Sequence, residues 1–274
     1  MKNAYIDYET DPILPDNRQM KKGWRALITA PLTFLVRLLF RPEVKGLAHL
    51  PKDGAYIVVA NHKNNWDPIL ISALIPLLPD WLSKEKLFQR PILAWLFYRL
   101  GMIPLDRKGQ DSRAMRRMLN RLNDGRVLGI FPQGTRVTTR EKSLAHPPKP
   151  GVLAIAKKRR LPLVVMAIEG QYRLFQPMTL HIFPPIDVTQ ALENYAGDTE
   201  LAMQSLFNEI FEHVGETELC FDLGDGLSPD LPTQDRPTQD RPPQDRPTLG
   251  AVQNSVRPQD QAPQSLLHRW LKKD

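Results

Sequence analysis

A histidine and an aspartate stand five positions apart in NHKNNWD, Asn61 to Asp67, directly after the apolar run AYIVVA at 55–60. An imidazole titrating near neutral pH can take and return a proton, and a carboxylate on its other ring nitrogen would fix the tautomer and stabilise the imidazolium. Such a pair performs general-base chemistry on a hydroxyl. On a regular helix five positions diverge by about 140°, so pairing His62 with Asp67 requires a turn or an irregular first helical turn. Asn64, Asn65 and Pro68 supply turn chemistry there. Taken alone, such a spacing more often marks a surface or capping histidine.

A second segment, FPQGTR, Phe131 to Arg136, follows the apolar run VLGIF at 127–131. Its Gly134 lets backbone N–H groups approach an anion, Thr135 adds a hydroxyl, and Arg136 offers a bidentate fork for phosphate. The plain alternative is a strand-to-loop turn ending in a solvated arginine. Between them lies GMIPLDR, Gly101 to Arg107, a strand-like run closing on an Asp106–Arg107 pair. Lys149 in PKPG is a further cation suited to a phosphate or a coenzyme, whereas Lys157 to Arg160 read as a solvated helix face.

The elements that must carry these groups alternate. AYIVVA, VLGIF, LVVMAI (163–168) and MTLHIF (178–183) are short apolar β-rich runs, expected as buried strands. Met115, Met118, Leu119 and Leu122 recur at helical spacing with Arg113, Arg116, Arg117 and Arg121 on the other side, predicting an amphipathic helix with Gly125 beyond its end. Asp198 is the expected N-cap of another helix running to about Val214. Ile69–Leu78 and Pro91–Gly101 are expected as core helices or as an apolar rim beside a lipid site, both too short to span a bilayer. Strands alternating with helices predict an α/β fold: a mostly parallel sheet flanked by helices, with sites at strand ends.

The ends of the chain differ from this body. Residues 24–40, WRALITAPLTFLVRLLF, are short for a spanning helix and carry Arg25, Pro31 and Arg37, so they read as an interfacial or a core helix. The first 24 residues hold four acids, four bases and no apolar h-region, unlike a secretory signal. Residues 223–274 hold eight prolines and a pentad repeated as PTQDR, PTQDR, PPQDR, predicting a disordered tail. Its final SLLHRWLKK reads as a frayed end or a short basic amphipathic helix. The expected organisation is an N-terminal membrane-associating segment (1–44), a catalytic domain (45–222) and the tail (223–274).

Charge narrows the partners. The formal charge is +7. Residues 84–160 carry 19 Lys and Arg against 5 Asp and Glu, and residues 161–222 carry 1 against 10. A basic middle suits an anionic ligand or an anionic leaflet. Zinc-finger spacing, an aromatic RNA-binding signature and a long basic helix are all missing, which argues against nucleic acid. The single cysteine, Cys220, excludes an internal disulfide and cysteine-rich zinc sites.

Taken in order, NHxxxxD, GxIPxDR, FPxGTR and a Pro-containing apolar strand from Leu161 to Ile168 resemble the glycerolipid acyltransferase family, which includes the 1-acyl-sn-glycerol-3-phosphate acyltransferases. The resemblance implies acyl transfer from acyl-CoA or acyl-carrier protein to a lysophospholipid hydroxyl at the cytoplasmic face of a membrane. The lead acceptor is 1-acyl-sn-glycerol 3-phosphate, giving phosphatidic acid. It implies His62 as general base, Asp67 as its orienting partner, and Arg107, Gln133, Gly134, Thr135, Arg136 and Lys149 as substrate-binding residues, with Pro162 shaping an acyl pocket. No metal or other cofactor is implied, because a thioester is already activated and a thiolate leaves readily. The family usually has glutamate where this chain has Gln133, which puts the acceptor in question: a lyso-ornithine lipid, glycerol 3-phosphate or another lysophospholipid. A non-catalytic membrane-binding protein is the alternative of another class.

Overall fold

The computed structural model describes residues 22–106 and 111–223. Eight α-helices and seven strands lie among the described residues. The strands are β1 (Glu43–Lys45), β2 (Ile57–Ala60), β3 (Asp80–Lys84), β4 (Ile103–Leu105), β5 (Leu128–Ile130), β6 (Leu163–Glu169) and β7 (Thr179–Ile182). They form one sheet in the order β1-β7-β6-β2-β5-β3-β4. Every neighbouring pair is parallel except β6 and β7. The four strand runs expected from the sequence are β2, β5, β6 and β7, and the strand-like run before Asp106 is β4.

A sheet covered on both faces needs strands that are apolar on both sides, and β2 and β6 are buried from end to end. Ile57 and Val59 of β2 face one core with Leu163, Val165 and Ala167 of β6. Val58 and Ala60 face the other with Val164, Met166 and Ile168. The first core is closed by α4 (Ser112–Asn123), α6 (Gly151–Arg159), α7 (Val188–Glu193) and α8 (Thr199–His213). The second is closed by α1 (Lys22–Phe40) and α2 (Asp67–Leu74). The remaining helices are α3 (Pro91–Arg99), with its own small cluster around Phe88, Ala94 and Tyr98, and α5 (Arg140–Ala145). Asp198 caps α8 as expected, accepting from the N–H groups of Glu200 and Leu201.

Helix α4 departs from its sequence pattern. Arg117 and Arg121, expected on the solvated side, are buried, and Met115 is exposed. For Arg121 the cause lies in a strand: Asp80, fully buried at the start of β3, takes a bidentate fork from Arg126 at 2.5 and 2.6 Å, with Arg121 Nε 3.7 Å away. A buried carboxylate needs paired cations, and that need outweighs the apolar stripe. Part of the basic middle is therefore structural.

Helix α1 continues through Pro31. Val36 and Phe40 lie in the core against α2, while Leu27, Phe34, Leu35 and Leu38 are exposed. No helix among the described residues is long and apolar enough to cross a membrane. The tail expected over 223–274 lies outside the described residues beyond Leu223.

Candidate active site

Parallel strands align their C-terminal ends, so the segments following β2, β5, β3 and β4 emerge at one edge of the sheet. His62 follows β2, Phe131 to Arg136 follow β5, and Asp106 follows β4. The backbone closes the first two together: the Val137 N–H donates to the His62 carbonyl at 2.8 Å. Arg107 lies outside the described residues.

The chain between β2 and α2 is the turn that pairing His62 with Asp67 required. Asn64 accepts from the Trp66 N–H through its side chain and from the Asp67 N–H through its carbonyl, folding Asp67 back as the first residue of α2 with Pro68 behind it. Asp67 is fully buried, and its Oδ2 accepts from His62 Nδ1 at 2.7 Å, the Lys63 N–H at 2.6 Å and the Asn64 N–H at 2.8 Å. Its Oδ1 accepts from the Tyr172 hydroxyl at 2.5 Å. Four donors converge on this carboxylate, which compensates its burial. An acceptor-only carboxylate assigns the His62 proton to Nδ1 and leaves Nε2 as the basic nitrogen.

Tyr172 escapes sequence reasoning, since it lies 105 residues from Asp67. Burial first, and then the Asp67 charge and hydrogen bond, hold its phenol protonated far above the ordinary range. Lys63 was not singled out either. Its Nζ donates to the Gly170 carbonyl at 2.9 Å and pairs with Glu216, tying the His62 turn to the segment after α8. Asn61 is a third such residue: its amide exchanges hydrogen bonds of 3.0 and 2.8 Å with the backbone of Ile168, extending the β2–β6 ladder by one step.

The His62 ring rests on an aromatic stack. Phe131 lies parallel to it with ring centroids 4.2 Å apart, and Trp81 stacks on Phe131 at 4.7 Å. Trp81 fits because residue 129 is glycine: a Cβ there would stand 2.5 to 2.8 Å from three Trp81 ring atoms. Trp81 Nε1 donates to Ser72 Oγ at 3.0 Å. Trp81 also lines an open apolar groove, walled by Leu32, Ile69, Ala73, Leu78 and Met102. Pro68, next to Asp67, lines it too. An apolar groove and the stack that carries His62 thus share Trp81.

The anion-binding candidates divide. Gly134, at φ +66, lets the loop turn beneath its own Phe131 carbonyl, and the Lys149 N–H donates to the Pro132 carbonyl at 3.0 Å. Arg136 and Lys149 are exposed and Thr135 is half-buried. Gln133 is instead buried, and neither its Oε1 nor its Nε2 has a hydrogen-bond partner. Pro162 is a correction to the acyl-pocket expectation. Its carbonyl accepts from the Ile57 N–H, at the N-terminal ends of β2 and β6. Five residues of extended chain, about 17 Å, separate that level from His62.

Residues 41–169 match the acyltransferase family model, a span that includes the His62 turn, the aromatic stack and the FPQGTR loop. A 1-acyl-sn-glycerol-3-phosphate acyltransferase of Helicobacter pylori is 31% identical over 149 residues, covering 53% of this chain and 61% of that protein. A lyso-ornithine lipid O-acyltransferase of Pseudomonas aeruginosa is 35% identical over 133 residues, covering 48% and 46%. The crystal structure of the 1-acyl-sn-glycerophosphate acyltransferase of Thermotoga maritima shares the fold, with a TM-score of 0.53 at 24% identity over 73% of this chain and 84% of that one. The chain spans about three fifths of the length of the first curated relatives it matches, 60 to 62%.

Proposed function

Residues 41–169 belong to the acyltransferase family, and from that premise we propose that this chain moves a fatty acyl group from a thioester, acyl-CoA or acyl-carrier protein, to the hydroxyl of a lysophospholipid. The acceptor proposed first is 1-acyl-sn-glycerol 3-phosphate. The observation that carries the proposal is the His62–Asp67 pair at 2.7 Å, one wall away from an apolar groove.

In the proposed reaction the acceptor hydroxyl oxygen attacks the thioester carbonyl carbon while His62 Nε2 takes the hydroxyl proton. Asp67 holds Nδ1–H and stabilises the imidazolium. The carbon–sulfur bond breaks, the new ester carbon–oxygen bond remains, and His62 returns its proton to the departing thiolate. Arg136, Lys149 and Arg107 would neutralise the acceptor phosphate, and the groove beside Trp81 would take an acyl chain. The buried Gln133 would act on the shape of the FPQGTR loop more than on the ligand directly.

The division proposed for the chain is an N-terminal segment (1–44) that meets the membrane, a catalytic domain (45–222) and a Pro-rich tail (223–274). The exposed apolar side chains of α1 support attachment to a membrane surface, proposed to be the cytoplasmic leaflet.

The test is thiol release by the purified chain supplied with acyl-CoA and lysophosphatidic acid. His62→Ala abolishes release, and release that survives in this variant overturns the assignment of the base. A lyso-ornithine acceptor is the second reading, favoured by the 35% match to a lyso-ornithine lipid O-acyltransferase. A panel including lyso-ornithine lipid and glycerol 3-phosphate decides it, since strong preference for lysophosphatidic acid removes it. Tight vesicle binding with no turnover on any thioester would restore the non-catalytic alternative.

A further inference from the structure

The loop joining β6 to β7 leaves the sheet at the same edge as His62 and carries two apolar side chains into solvent: Leu174 is 64% exposed and Phe175 58%. Phe175 is held there. Its φ is +64, a left-handed conformation unfavourable for a bulky residue, and its N–H donates to the Leu39 carbonyl at the end of α1 at 2.6 Å. That hydrogen bond makes the loop tip continuous with the outer face of α1, where Phe34 is 69% exposed and Leu38 53%. Arg37, Arg41 and Arg173 are exposed around this apolar surface.

We propose that the Leu174–Phe175 tip is a second membrane-insertion element, seated beside α1 in an anionic lipid leaflet. Contiguous exposed apolar side chains ringed by guanidinium groups match a leaflet's acyl boundary and its phosphate headgroups together. A protein partner fits less well. Two residues before Leu174, Tyr172 donates to Asp67, so this surface borders the catalytic pair, and a protein covering it would obstruct the entry of a long-chain lipid. The partner rests on the membrane-surface reading above; the insertion of this loop does not follow from that reading.

The test places an environment-sensitive dye on a cysteine at position 175, with Phe175→Cys in a Cys220→Ser chain. The reference is the same dye on Met115→Cys, an exposed position on α4 against the opposite face of the sheet. Vesicles of phosphatidylglycerol and phosphatidylcholine in equal parts shift the dye at 175 to the blue and leave the dye at 115 unchanged. In the unlabelled chain, Leu174→Ser with Phe175→Ser lowers vesicle partition on the order of tenfold or more while the thermal midpoint stays at the wild-type value. Pure phosphatidylcholine gives the weaker response if the three arginines contribute.

A dye at 175 that stays in water while the protein still sediments with vesicles overturns the proposal and leaves membrane attachment through α1 intact. Failure of the wild-type chain to sediment with either vesicle overturns both. A blue shift at 175 without thiol release on any lysolipid supports the insertion and removes the acyltransferase reading instead.

Discussion

Gly129→Ala adds one methyl group inside β5 and tests the support beneath His62. The new Cβ would stand 2.5, 2.7 and 2.8 Å from three atoms of the Trp81 ring, where ordinary contact begins near 3.4 Å, so the ring must retreat by close to an ångström. Trp81 is 3% exposed and cannot swing into solvent. Moving it strains the hydrogen bond to Ser72 and the stack on Phe131, and Phe131 in turn carries His62. Overpacking of this kind costs about 1–3 kcal/mol. In a chain of this size that lowers the melting temperature by roughly 2–4 °C per kcal/mol. A displacement near 1 Å at the reacting nitrogen costs on the order of 100-fold in turnover. Thermal melting together with thiol release from acyl-CoA reads both effects, and adding Trp81→Phe, which frees the space the methyl needs, restores part of each. A Gly129→Ala protein with wild-type turnover, or a double variant no better than the sum of its singles, would refute the idea that the stack positions His62.

Three other perturbations follow from particular contacts. Tyr172→Phe removes the donor on Asp67 Oδ1 and leaves that buried oxygen without its partner, so the turnover of thiol release falls about tenfold while KM stays near the wild-type value, a split that separates positioning of the pair from substrate binding. Asp80→Asn leaves Arg126 and Arg121 without their buried counter-charge and should lower unfolding free energy by about 3–5 kcal/mol in urea titrations. His213 has its pKa lowered to about 4 by burial first and the adjacent His181 second, with Glu169 opposing. Its neutral form is favoured by the fold, so that contribution to stability is complete above the ordinary histidine range and is lost as pH falls from 6.5 to about 4. His213→Gln flattens the pH dependence of the melting temperature across that window.

Local signals were sufficient for much of the architecture. The continuous apolar runs of β2 and β6 announce strands buried on both faces, and Asp198 before an apolar stripe announces α8. The short edge strand β1, EVK, escaped because its residues alternate between exposed and half-buried with no apolar run to mark it. Strand β3, DWLSK, escaped because it begins with the buried charge Asp80, whose partners come from α4 and its following turn. The same pairing buries Arg121 against the pattern of its helix, because an ion pair across elements leaves no trace in the periodicity of one helix.

By itself the sequence determined the candidate residue types, the strand-end placement of His62 and the order of motifs that carries the family resemblance. It also placed a turn between His62 and Asp67, since asparagine and proline act on their immediate neighbours. Tertiary structure alone decided what makes that pair work: the Tyr172 hydroxyl from 105 residues away, the Lys63–Glu216 tie, and the Trp81–Phe131 stack admitted by Gly129. It also carried Pro162 to the far end of the sheet and buried Gln133 within its loop. The physical reason is range. Backbone propensity and apolar period report interactions over a few residues, whereas these contacts depend on which strands become neighbours, and that order is set by packing the whole chain.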